Sequence, residues 1–125
     1  MIYFYYGSDT ETARKKAKVT IDSLLLKKPD ATLVKIGEEN LSENKIDELT
    51  LSQALFSNKY IVFFYRTFDN KSNKEIILKK LKELAESENI FIFVESKIDK
   101  AGLTKIEKLA KTVQEFTKPE KTLTK

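Results

Sequence analysis

The 125-residue sequence contains no cysteine and no histidine, and only three glycines and two prolines. Without cysteine there is no disulfide framework and no thiolate metal site. Without histidine there is no histidine-based triad, no histidine zinc ligand and no imidazole general base. The scarcity of glycine and proline excludes collagenous, low-complexity and loop-rich mini-protein architectures. The longest apolar runs are Ile2–Tyr6, Leu24–Leu26, Tyr60–Tyr65 and Ile90–Val94. None approaches the ~20 residues of a membrane span. The start, Met1-Ile2-Tyr3-Phe4, lacks the basic region of a secretory signal. A cytoplasmic protein without a membrane partner is the simplest expectation.

What the sequence does contain is enough for a core. Hydrophobic residues make up 41% and aromatics 10%, too apolar for a disordered chain. The length suits one domain, able to bury roughly two thirds of its unfolded surface. Lys+Arg 23 against Asp+Glu 19 gives a net charge of +4. The whole excess lies in residues 97–125, where eight lysines face Asp99, Glu107, Glu115 and Glu120. Lysines spaced this evenly more often coat a solvated helix than grip phosphate, so any DNA contact is expected to be weak or indirect.

Strand and helix patterns alternate along the chain. Ile2–Tyr6 reads as a buried strand ended by Gly7. Ser8-Asp9-Thr10-Glu11 matches a capping box, and a helix follows to about Lys27 with Ala13, Ala17, Ile21, Leu24 and Leu25 on one face. Pro29 stops it. Thr32–Ile36 is a second strand, and Ser42–Leu49 a short helix with Ile46 and Leu49 inward. Tyr60–Tyr65, apolar throughout, predicts a third strand central in the sheet. Ser72-Asn73-Lys74-Glu75 is a second capping box, opening one helix with Ile77, Leu81, Leu84 and Ala85 as its stripe. Ile90–Val94 is a fourth strand, Leu103, Ile106, Leu109 and Ala110 mark a last helix, and Val113–Phe116 a fifth strand. Alternation at this spacing implies right-handed crossovers and a three-layer α/β/α domain with a mainly parallel five-stranded sheet. The domain spans residues 1–117, and 118–125 reads as a polar tail or linker.

Three places could carry chemistry or binding. The first strand–helix turn, Gly7-Ser8-Asp9-Thr10-Glu11-Thr12, lacks the glycines and Lys-Ser/Thr pair of a phosphate loop. Neither a nucleotide cofactor nor a bound metal is expected. Asp9, Asp69, Ser96 and Lys118-Pro119 follow successive strands in the order of a phospho-acceptor receiver, whose chemistry needs carboxylates on one magnesium and a lysine at the phosphoryl oxygens. Asp9 sits in a capping position and Asp69 four residues past its strand, which fits that chemistry poorly. The third is Leu55-Phe56 within Ser52-Gln53-Ala54-Leu55-Phe56-Ser57-Asn58-Lys59. Adjacent large apolar residues cannot both face one core easily, so the pair is either half-exposed packing or an apolar plug for a partner's pocket.

Taken in order, several segments resemble the N-terminal domain of the delta subunit of the bacterial DNA polymerase III clamp loader. They are Ile2-Tyr3-Phe4-Tyr5-Tyr6-Gly7-Ser8-Asp9, Gly37-Glu38-Glu39-Asn40-Leu41, Ser52–Lys59 running into Tyr60–Phe64, Ile90–Val94 with Lys97-Ile98-Asp99-Lys100, and Val113–Pro119. The resemblance implies an ATPase-like (AAA+) fold without a nucleotide site and without catalysis of its own. It implies that Leu55 and Phe56 enter a pocket of the ring-shaped sliding clamp and favour ring opening, with Gln53, Ser57 and Lys59 as rim contacts. It also implies other clamp-loader subunits as partners where a lid and collar follow. A receiver-like signalling domain and an interaction domain for another partner are the alternatives.

Overall fold

The computed structural model describes residues 1–50 and 59–118. Its elements are β1 (Ile2–Tyr6), α1 (Thr10–Lys27), β2 (Thr32–Ile36), α2 (Glu43–Thr50), β3 (Tyr60–Tyr65), a 3₁₀ turn (Thr67–Asp69), α3 (Lys71–Lys79), α4 (Leu81–Glu86), β4 (Ile90–Glu95), α5 (Lys100–Leu109) and β5 (Thr112–Glu115). The five strands form one sheet in the order β2-β3-β4-β1-β5, and every neighbouring pair is parallel. This is the expected three-layer α/β arrangement.

The strand order decides which helix goes where. The β1-to-β2 crossover runs across the sheet in one direction, and the other three run in the opposite one. With right-handed connections, α1 must lie on one face and α2–α5 on the other. The packing agrees. Ala13, Ala17 and Ile21 of α1 cluster with Tyr5, Ile61, Ile90, Ile92 and Val94. Ile46, Leu49, Ile77, Leu81, Leu84 and Ile106 cluster with Ile2, Phe4, Val62, Phe64, Phe91 and Phe93 on the opposite face. There the Phe64 and Phe93 rings stack at 4.3 Å with planes 5° apart, and Phe68 packs on both Phe4 and Phe93. Alternate residues of each strand serve the two layers, as the period of two requires.

Several expectations are corrected. The middle strand is β4, buried at all six positions, whereas β3 lies one place from the edge and keeps Tyr60, Phe63 and Tyr65 only half-buried. The α1 cap is Asp9, whose carboxylate accepts from the Thr12 N–H at 3.1 Å and the Thr12 hydroxyl at 2.7 Å. Ser8 instead accepts from the Lys118 N–H. Asn70, not Ser72, caps α3 through the Asn73 N–H. The predicted helix of residues 72–88 is two helices, broken at Lys80. The Lys80 ammonium reaches Asp47 at 2.8 Å and ties this break to α2. The fifth strand begins one residue earlier than expected, at Thr112. Among the described residues no helix is long and apolar enough to cross a membrane.

Gly7 is fixed by a close backbone approach. It leaves β1 at φ +134°, and a Cβ there would stand 1.9 Å from the Phe116 carbonyl oxygen. The Phe116 N–H donates to Tyr6 O at 2.7 Å, and the Asp9 N–H donates to Phe116 O at 3.1 Å. The end of β5 is thus laced onto the β1–α1 turn. Gly7→Ala is expected to destabilise the domain by about 1–3 kcal/mol from backbone strain alone, and more once β5 is displaced. Urea unfolding followed by circular dichroism measures it, and an unchanged midpoint would contradict this account of the turn.

Candidate functional site

Ligands of parallel α/β sheets usually sit beyond the carboxyl ends of the strands. At that edge the residues are occupied with one another. Asp69 pairs with the Arg66 guanidinium at 2.9 Å and accepts from the Ser96 hydroxyl at 3.2 Å. Arg66 is the one described non-glycine residue with positive φ, at 56°, and its N–H donates to Val94 O. Asp9 is engaged by Thr12, and these hydrogen bonds hold its carboxyl below the ordinary range.

The centre of this edge is Glu95, which is fully buried. One carboxylate oxygen accepts from the Thr67 N–H at 3.1 Å and the Thr67 hydroxyl at 2.8 Å. The other accepts from the Phe68 N–H at 2.9 Å. Glu95 therefore supplies from β4 the acceptors that the turn after β3 needs. Burial pushes its carboxyl up to about 8, against these donors, which favour the ionised form. Glu95 closes the otherwise wholly apolar strand β4, and that juxtaposition is the mark it leaves in the sequence.

The receiver residues are not assembled for magnesium chemistry. The structure brings Ser96 to Asp69, and Lys118 to the Ser8–Asp9 turn, but as two separate groups. Among the described residues no three acidic side chains converge as a metal site. The order β2-β3-β4-β1-β5 also differs from the 2-1-3-4-5 order of receiver domains. Pro119 lies outside the described residues.

Gln53, Leu55, Phe56 and Ser57 likewise lie outside the described residues, and Lys59 is exposed just before β3. The two ends of the connection that carries them are described, and one buried amide holds both. The Asn89 side chain accepts from the Tyr60 N–H at 3.0 Å and donates to Leu49 O at 2.6 Å. The Ser87 hydroxyl donates to Thr50 O, and the Thr32 N–H donates to Lys59 O. Lys79 and Lys80 clamp α2 from outside through Glu43 and Asp47. Sequence reasoning missed Asn89; its signal is an amide placed directly before an apolar strand.

Two outcomes follow. An acid whose pKa is raised on folding stabilises the native state below its unfolded pKa and loses that contribution as pH rises. Stability is therefore expected to fall between about pH 4.5 and 8, and Glu95→Gln should flatten this slope in urea titrations across that range. Glu95→Gln also leaves an amide N–H facing a backbone N–H, costing about 1–3 kcal/mol. Asn89→Ala orphans the Tyr60 N–H and Leu49 carbonyl, with a similar cost of about 1–3 kcal/mol and faster amide exchange at Tyr60. No family model and no curated protein matches the sequence, so the reading of the site rests on the residues themselves.

Proposed function

We propose that this domain is a non-catalytic module of DNA replication that binds the sliding clamp through Leu55 and Phe56 and favours the opened ring. The observation that carries the reading is the ordered resemblance along the chain, with the Leu-Phe pair falling between α2 and β3. Its support from geometry is the anchoring of that connection. Asn89 fixes both ends to the sheet, so a segment presented there is held on a rigid base, which lowers the ordering cost of binding. Gln53, Ser57 and the exposed Lys59 would form the rim around the two apolar residues. Opening the ring needs no chemistry at this site. A domain that binds the sprung-open ring better than the closed one shifts the population toward it.

Calorimetry against the sliding clamp of the same organism tests the proposal. Central apolar anchors cost ~2 kcal/mol or more when truncated, roughly thirtyfold in affinity. The Leu55→Ala/Phe56→Ala double variant is expected to lose at least that much while unfolding at the same urea concentration as wild type. Absence of binding by the wild-type domain would overturn the clamp reading. Equal binding by both proteins would overturn the role of the pair.

A further inference from the structure

The two faces of the sheet are covered unequally. Among the described residues four helices pack on one face, and α1 alone lies on the other, over β4 and β1. A helix is about 10 Å across and strands are about 4.8 Å apart, so one helix covers roughly two strands. The position beside α1, over β3 and β2, has no helix among the described residues. It is a groove of about 460 Å³. Its floor is Ile21, Leu25, Leu33 and Phe63, with Leu33 37% exposed. A smaller hollow continues it along Phe63 to Tyr65 and Gly37. The corresponding position beyond β1, at the β5 edge, presents Thr112 and Gln114 instead. The β5 side also carries the half-buried Phe116, packed edge-on to Tyr5, whereas Leu33 and Phe63 line the groove on the β2–β3 side.

The rim of the groove carries Arg14, Lys15, Lys18 and Lys35 against Glu11 and Asp22. Lys18 pairs with Asp22. Arg14, Lys15 and Lys35 form no ion pair among the described residues, and Arg14 lies over the Tyr65 ring at 5.2 Å. Parallel sheets occur almost only with both faces covered by helices, and cations flank the uncovered strip. We propose that the groove docks an amphipathic helix of a partner protein, its apolar stripe on Leu33 and Phe63 and its acidic flanks against Arg14, Lys15 and Lys35. A single-stranded nucleic acid fits less well. Two carboxylates stand on the rim, and the Tyr65 ring is already stacked on Phe63 and covered by Arg14. α2, which precedes the Leu55–Phe56 connection in the chain, packs on the opposite face of the sheet.

The test is nuclear magnetic resonance titration of the isotope-labelled full chain with synthetic helical peptides. One carries a leucine stripe with glutamate flanks, a second the same stripe with lysine flanks, and a third the first composition scrambled to remove the stripe. The glutamate-flanked peptide, added to about 1 mM, the weak limit of specific association, is expected to shift Arg14, Lys15, Leu33, Lys35 and Phe63. The other two should not. Lys15→Glu/Lys35→Glu, two exposed substitutions, should weaken that binding roughly tenfold or more with unchanged thermal unfolding. Leu55→Ala/Phe56→Ala should leave it unchanged. No shifts at the groove, equal binding of the lysine-flanked or scrambled peptide, or stronger shifts at the same residues from oligothymidylate would each overturn the proposal.

Discussion

The position of β1, inserted between β4 and β5 while β2 occupies the far edge, sets the rest of the molecule. It forces the first crossover to run against the other three, which isolates α1 on its own face. The four-helix side can then bury a continuous aromatic layer, with Phe4, Phe64, Phe68, Phe91 and Phe93 all inside. The α1 side cannot close in the same way. α1 meets the sheet through two alanines and an isoleucine, which lets it sit low over β4 and β1 with Ile61 of β3 at its margin. Among the described residues no second helix lies beside it over β3 and β2.

The same insertion brings the ends of β1, β4 and β5 together. Gly7 donates to the Glu95 carbonyl, its backbone lies under Phe116, and the Glu95 side chain reaches across to Thr67 and Phe68. A buried carboxylate is costly unless its oxygens are satisfied. Here three donors come from a single turn that itself needs acceptors, and they offset only part of the cost, since burial still pushes the carboxyl up to about 8. Asp9 and Asp69 are likewise engaged locally, so these three carboxyl groups shape the connections at this edge.

Much of this was legible in the sequence, and the failures have physical reasons. β1, β3 and β4 followed from near-continuous apolar runs, which strands buried on both faces leave in a sequence, and the edge strands β2 and β5 and the span of α1 from shorter patterns and Gly/Pro punctuation. The caps were misread because a box such as Ser8–Glu11 can be met in more than one frame. Asp9 takes the cap, while Ser8 accepts from the Lys118 N–H, 110 residues away. The break at Lys80 was hidden because Ile77, Leu81 and Leu84 keep helical spacing through it. At the break Lys80 leaves helical geometry, at φ −97° and ψ 10°, and its ammonium pairs with Asp47 of α2. Apolar content placed β3 at the centre, yet composition cannot separate the middle strand from its neighbour. Of the candidate site, the sequence marked Leu55 and Phe56 but not Asn89, since the amide matters only through contacts 29 and 40 residues away.

The two interaction surfaces proposed for this domain draw on different parts of one scaffold. The α2–β3 connection springs from the four-helix face, where Ile46 and Leu49 are buried and Asn89 ties both ends to the sheet. With Leu49 and Tyr60 fixed on either side, the ends of any segment that binds there need no further ordering. The groove beside α1 offers the opposite design. It is broad, half-apolar and rimmed by cations on a face whose covering layer is incomplete, which suits an extended partner that supplies its own secondary structure. β3 contributes Tyr60, Val62 and Phe64 to one layer and Ile61, Phe63 and Tyr65 to the other, so the described end of the connection at Tyr60 and the floor of the groove at Phe63 draw on opposite faces of one strand.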